Sequence, residues 1–295
     1  MVDVRAVAPG LEVVKRLTGH SGCSVLLCRA GDAYFVRKYS ASIAYNPRLH
    51  EQAAKQARLS ALVRTPKVID QGVADGLVFF DMEYVSGHDF RTYAPLQNVA
   101  SLSAFAHRTL EPLGTLAGTR AGSVSAARFE AKVHSVCTAL AASPFVGRHS
   151  AVLGRARSVL ETADWSGIPR TDCHGDLTLE NMLVRDDGEI VLIDLLDGDL
   201  ESVWLDAAKL LQDLDSGWSL RAFLWKSELS SADRLMLMLS RYLYEEIKVQ
   251  VLEMFPELDS RLRQLRTLQA MRVLPYVHDE GTFWHVVNGL DRILR

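Results

Sequence analysis

The strongest constraint on the fold is a change of periodicity near Gly87. Before it, apolar residues fall in short runs separated by turn residues; after it, they recur at helical spacing. Residues 11–18, 23–30 and 33–39 read as three strands. Gly19-His20-Ser21-Gly22 breaks the first from the second, and Gly31-Asp32 joins the second to the third as a hairpin signal. Beyond Pro47, Leu49, Ala53, Ala57 and Leu62 suit a helix entered near Asn46-Pro47. Residues 67–73 and 77–85 then read as two further strands around Ala74-Asp75-Gly76. The order is strand–strand–strand–helix–strand–strand.

From Gly87 onward, helices are expected over residues 101–116, 127–141, 151–162, 203–214, 231–253, 258–274 and 283–294. Residues 171–195 interrupt them: apolar runs at 182–184 and 190–194 flank Asp186-Asp187-Gly188, another hairpin. The expected class is α+β, a small antiparallel sheet with one helix over residues 1–86 followed by a larger, mainly helical part over 87–295.

A net charge of −3 on 295 residues offers no general attraction to nucleic acid or to anionic membranes. No run approaches the ~20 apolar residues of a membrane helix, and residues 1–10 lack a signal-peptide pattern. Four scattered cysteines, with no Cys-x-x-Cys pair, fit reduced thiols. The expectation is a cytoplasmic protein without nucleic-acid or membrane partners.

The chemistry is concentrated in His174-Gly175-Asp176-Leu177-Thr178-Leu179-Glu180-Asn181, followed by Ile193-Asp194-Leu195-Leu196-Asp197. Phosphoryl transfer needs a carboxylate to accept or orient the attacking hydroxyl, oxygen ligands for magnesium, and fixed positions for both. Asp176 suits the first role. Asn181, on the same loop, and Asp194, at the end of the next hairpin strand, are hard oxygen donors of the kind magnesium prefers.

This segment resembles the aminoglycoside phosphotransferase and choline kinase group, which carries His-Gly-Asp-x-x-x-x-Asn and Ile-Asp-x-x-Asp. The resemblance is sharp over about residues 171–208 and implies a bilobal protein-kinase-like fold using ATP and Mg2+. It assigns Asp176 as catalytic base, Asn181 and Asp194 as magnesium ligands, His174 and Gly175 as loop-shaping residues, and Asp206 as a structural anchor. It places Lys38, in Phe35-Val36-Arg37-Lys38-Tyr39, on the nucleotide phosphates, with Glu51 on the following helix as its partner. Strand alternation turns Arg37 to the opposite face, leaving it as the substitute if the register differs by one. Ser21 and Gly22 fall where the group has a loop over the phosphates, and their glycine-rich surroundings suit an anion. Glu83 C=O and Val85 N–H, in the run ending at Gly87, fall at the adenine-binding hinge. No Walker-type motif is present.

Departures from protein kinases favour a small-molecule hydroxyl acceptor: Gly175 replaces the arginine of His-Arg-Asp, Thr178 stands where lysine is usual, and no Ala-Pro-Glu element follows. Glu180 is unusual for the group and could face solvent or meet magnesium. In the helical part, Asp197, Asp199, Glu201, Asp213, Asp215, Glu245 and Glu246 lie near Trp204, Trp218, Trp225, Tyr242 and Tyr244 in sequence. They could bind an ammonium group or a sugar, or be a solvated face and core. Residues 195–213 also resemble members found in bacterial polysaccharide biosynthesis, which favours a sugar-like alcohol. The alternatives are an antibiotic-inactivating phosphotransferase and a nucleotide-binding module without activity.

Overall fold

A computed structural model describes residues 11–17, 23–221 and 228–295. It bears out the α+β class, with two compact units. One comprises Met1–Gly87 with Arg185–Asp197; the other comprises His88–Val184 with Gly198–Arg295. Residues 185–197, expected with the helical part, thus cluster with the strands. Specific bonds hold them there. Leu192 N–H donates to Arg64 C=O at 2.9 Å, Lys55 Nζ donates to Leu196 C=O at 2.6 Å, and Arg64 pairs with Glu189 at 3.5 Å.

In the first unit, strands β1 (Glu12–Leu17), β2 (Ser24–Ala30), β3 (Ala33–Tyr39), β4 (Val68–Ala74) and β5 (Leu77–Glu83) form one sheet in the order β1-β2-β3-β5-β4. Every pairing is antiparallel. The β4–β5 turn uses Asp75 and Gly76 at φ 50° and 74°, the double positive φ of a type I′ turn, whose twist matches a hairpin. Helix α1 (Asn46–Leu59), with proline in its first turn, covers one sheet face through Leu49 and Ala53 against Phe80 and Cys23. The other face holds Leu26, Cys28, Tyr39 and Leu77, with Phe79 packed against them. Adjacent Phe79 and Phe80 therefore serve opposite faces, as period-two alternation requires.

The second unit begins with a short helix, α2 (Phe90–Tyr93), that the sequence pattern did not suggest. It continues with α3 (Val99–Ala117), α4 (Ala126–Ala141), α5 (Ser150–Glu161), strand β6 (Met182–Val184), α6 (Val203–Ser216), α7 (Ser231–Met254), α8 (Asp259–Val273) and α9 (Glu280–Leu294). Strand β7 (Ile190–Leu192) belongs to the first unit. Side chains of Asp89, Asn98, Ser202, Ser230 and Asp279 cap the starts of α2, α3, α6, α7 and α9, each satisfying a backbone N–H that the helix cannot. Helix α6 packs against α7, α8 and α9. Thirteen of its fourteen residues are buried, so each polar side chain on it needs a partner inside the unit. All four cysteines are free of disulfides. Among the described residues, no helix is long and apolar enough to cross a membrane.

Candidate active site

The His174–Asn181 loop is held by its own backbone geometry and by α6. Gly175 takes φ 95°, a left-handed conformation that strains residues with a Cβ. Buried His174 accepts the Asp176 N–H on Nδ1 at 3.2 Å. Asn181 Nδ2 donates to Asp176 C=O at 2.9 Å and lies 3.5 Å from Asp176 Oδ2. With its nitrogen committed to the loop, Asn181 has its amide oxygen Oδ1 as the atom suited to a metal.

Three polar residues of α6 lie at spacings of three and four, and so share one helix face. Asp206 accepts the N–H groups of His174 and Gly175 at 2.5 and 2.8 Å. Asp213 accepts Leu179 N–H, Ser219 N–H and Ser219 Oγ–H, each at 2.7 Å. Between them, Lys209 Nζ stands 3.3 Å from Asp176 Oδ1. Asp206 is thus the structural anchor the resemblance implied. Asp213 is a loop clamp instead of an acceptor ligand, and the sequence reading had no role for Lys209. The available signal was the polar stripe on an otherwise apolar helix.

Electrostatics separate the partly exposed Asp176 from the buried Asp213. Burial pushes the Asp176 carboxyl up, but the joint pull of Lys209, His174 and Arg272 wins, and its pKa lies below the usual carboxylate value. Asp213 has no such cation. Burial outweighs its hydrogen bonds and raises its pKa. Glu180 neither faces solvent freely nor waits for metal: Arg221 Nη1 bonds both its oxygens at 2.8 Å. The same guanidinium lies 4.3 Å from the Trp218 ring centre.

In the first unit, the expected Lys38–Glu51 pair is absent. Glu51 is exposed, while buried Lys38 donates to Gln52 Oε1 at 3.1 Å and pairs with Asp194 Oδ1. One residue along a helix is a rotation of about 100°, and it is position 52 that faces the sheet. Arg37 points the other way, as alternation predicts. Its guanidinium makes two bonds to Asp81, at 2.7 and 2.8 Å, and lies 3.8 Å from the Phe79 ring centre. Arg37 is therefore built into the sheet and does not substitute for Lys38. Asp194 sits two residues past β7 at φ 58°, a left-handed conformation that asparagine and aspartate tolerate better than most.

Glu83 ends β5, and its N–H donates to Lys67 C=O at 2.9 Å. Its carboxylate takes two bonds from Arg64, at 2.9 and 2.6 Å, and that pairing holds its pKa down. Val85 follows, buried, outside the strand. Ser21, Gly22 and Trp225 lie outside the described residues.

Most of the carboxylates considered for acceptor binding already have partners. Glu201 and Asp172 share Arg120. Asp215 pairs with Arg266 at 2.6 Å, and Glu245 pairs with Arg241 at 2.5 Å. Trp204 and Tyr244 are core residues, and Tyr242 Oη bonds Ser103 Oγ at 2.7 Å.

Among the described residues, no group of three or more His, Cys, Asp or Glu side chains is arranged to hold a metal. Asn181 Oδ1 and the Asp194 carboxylate are each hard oxygen donors of the kind magnesium prefers.

A family model described as the phosphotransferase enzyme family matches residues 14–236. No curated protein matches the sequence. Among solved structures, the chain is similar to a thermostable mutant of aminoglycoside phosphotransferase APH(4)-Ia bound to ADP and hygromycin B, at 14% identity and a TM-score of 0.65, covering 97% of this chain and 95% of that one. It is also similar to a protein assigned as a fructosamine-3-kinase from Haemophilus somnus 129PT, at 12% identity and a TM-score of 0.58, covering 97% and 92%. A third similar structure is aminoglycoside-3'-phosphotransferase of type VIII, at 21% identity and a TM-score of 0.50, covering 81% and 94%. These likenesses establish the protein-kinase-like fold. Because the family model spans well over half of the chain, including the His174–Asn181 loop and Asp194, the protein belongs to the phosphotransferase enzyme family and is a phosphotransferase with a hydroxyl acceptor.

Proposed function

We propose that this phosphotransferase moves the γ-phosphoryl group of ATP to a hydroxyl of a sugar-like acceptor. The carrying observation is the Asp176 carboxylate, set on a loop whose His174, Gly175 and Leu179 N–H groups are bonded to α6 and whose own end, Asn181, ties back to it. In the reaction, the acceptor oxygen attacks the γ-phosphorus, the bond to the β,γ-bridging oxygen breaks, and ADP leaves. The acceptor proton passes to Asp176. A carboxylate with a lowered pKa is a weak base, but phosphoryl transfer has a loose transition state in which orienting the hydroxyl counts for more than removing its proton.

Lys38 is assigned to the nucleotide phosphates. Glu83 C=O and Val85 N–H are assigned to adenine, and Ser21 and Gly22 to the phosphate loop. Asn181 and Asp194 are the residues that would hold magnesium, which when bound neutralises charge on the phosphates. The sugar-like acceptor is favoured over an ammonium-bearing one because Glu201, Asp213, Asp215 and Glu245 are already bonded within the protein. A cation would have to displace those partners.

The test is ATP consumption over a panel of sugars, amino alcohols and aminoglycosides. Turnover on sugars, lost by orders of magnitude in Asp176→Asn with Mg-ATP thermal stabilisation retained, is the expected result. Turnover confined to aminoglycosides would make this an antibiotic-modifying enzyme. Nucleotide stabilisation with no turnover on any acceptor would leave only a binding module.

A further inference from the structure

We propose that Lys209 is a positioning residue for the transfer, a buried cation supplied by α6 that holds one oxygen of the Asp176 carboxylate so that the other is presented to the acceptor hydroxyl. The inference rests on the phosphotransferase reading above and adds to it a residue outside the recognised motif.

The geometry is asymmetric in an informative way. The Lys209 side chain is 6% exposed, whereas that of Asp176 is 38% exposed. The ammonium is therefore enclosed on the protein side of the pair, and the carboxylate is the accessible partner. Nζ approaches Oδ1 at 3.3 Å, and the Asn181 amide flanks Oδ2 at 3.5 Å. An isolated aspartate can rotate about its terminal torsion, which is broad and roughly two-fold. With a cation on one oxygen and an amide beside the other, that rotation is restricted.

Burying an ammonium opposes folding unless it is paired. Helix α6 nevertheless carries this lysine midway between two aspartates that bind the same loop. Asp206 and Asp213 bond backbone amides at the two ends of the loop, so they set where the loop lies. Lys209 meets the side chain at its centre, so it sets where the carboxylate points. Thr178, within the loop, is buried and uncharged, and supplies no cation there.

A residue that acts only through Asp176 has a distinctive signature. Its effect should vanish when Asp176 is already disabled, because groups working as one unit are not additive. The experiment is a double-mutant cycle of Lys209→Met with Asp176→Asn, measured on the best acceptor of the panel with melting temperature and Mg-ATP stabilisation recorded for each variant. Lys209→Met should lower kcat about 100-fold, the scale expected when a reacting group is misplaced by around 1 Å. Acceptor KM and nucleotide stabilisation should stay within about threefold. Lys209→Arg, which keeps charge and donors, should recover at least about tenfold of the loss. In the Asp176→Asn background, Lys209→Met should cost less than about threefold more.

A kcat within threefold of wild type in Lys209→Met overturns the role. So does an equal loss in both backgrounds, which would mean that Lys209 acts on the phosphates directly or on the fold. If Lys209→Met fails to fold, Lys209→Gln takes its place in the same cycle and the same non-additivity is required. A wild-type chain that phosphorylates nothing overturns the parent reading and this role together; an active wild type with an additive cycle overturns this role alone.

Discussion

Replacing Asp213 with alanine separates two readings of one residue. If its carboxylate recognised the acceptor, the loss would fall on acceptor KM and leave the fold untouched. The structure places it beneath the His174–Asn181 loop, fully enclosed, accepting three hydrogen bonds at 2.7 Å. Alanine orphans the Leu179 and Ser219 amides, while the Ser219 hydroxyl can rotate to another acceptor. Two buried unsatisfied donors at about 1–3 kcal/mol each give roughly 2–6 kcal/mol. Burial opposes the carboxylate itself, as its raised pKa indicates, and removing it recovers part of that penalty. The net expectation is about 2–4 kcal/mol of destabilisation, or several degrees of melting temperature. The Leu179 amide lies between Asp176 and Asn181 in the loop, so kcat should fall at least about tenfold while acceptor KM changes little. Thermal unfolding followed by tryptophan fluorescence, together with steady-state kinetics below the variant's melting range, measures both. An unchanged melting temperature with a tenfold rise in acceptor KM would refute the clamp and return Asp213 to the acceptor site.

Arg37→Ala and Lys38→Ala should differ in kind. The first strands Asp81 in a buried pair and should cost about 3–5 kcal/mol of stability; the second should chiefly abolish Mg-ATP stabilisation, and a large nucleotide shift surviving in Lys38→Ala would remove that lysine from the phosphates. Glu51→Ala should change stability by no more than about 0.5 kcal/mol and leave nucleotide stabilisation intact, whereas Gln52→Ala should weaken it; the reverse order would mean that α1 presents its other side to Lys38. His285 meets Ser216 C=O through Nε2, and burial, aided by Arg292, depresses its pKa below the ordinary 6.5. A depressed histidine is neutral when folded and charged when unfolded, so the unfolded chain binds the extra proton and stability should fall as pH drops below about 6.5. Melting temperatures across pH 5–8 should show that limb in the wild type and a shallower one in His285→Asn; equal slopes would place the acid sensitivity elsewhere.

Local chemistry explains what could be read in advance. Hairpin turns were legible because Asp75-Gly76 supplies two residues able to take positive φ. The separate duties of Arg37 and Lys38 were legible because a strand has a period of two, and β3 pairs with both neighbours without a shift in register. The Lys38 partner was not legible for a related reason. Charge complementarity nominates Glu51, but helix rotation decides which residue of the pair 51–52 faces inward, and one position is about 100°. An uncharged glutamine facing a lysine gives no signal in the sequence.

The α6 stripe shows a deeper limit. Asp206, Lys209 and Asp213 have the spacing of a solvated helix face, and on a surface helix that reading would be correct. What reverses it is burial of the whole helix by α7, α8 and α9, which arises only when distant segments pack. Once enclosed, the three charges cannot remain without partners, and the adjacent loop offers what they need: amide donors for the two aspartates and a carboxylate for the lysine. A helix buried on all sides but carrying a polar stripe therefore implies a backbone segment without regular hydrogen bonds beside it, and in this chain that segment is the one bearing Asp176. The recognised motif names the residues that would meet the substrate; the stripe, thirty residues further along, names those that keep them in place.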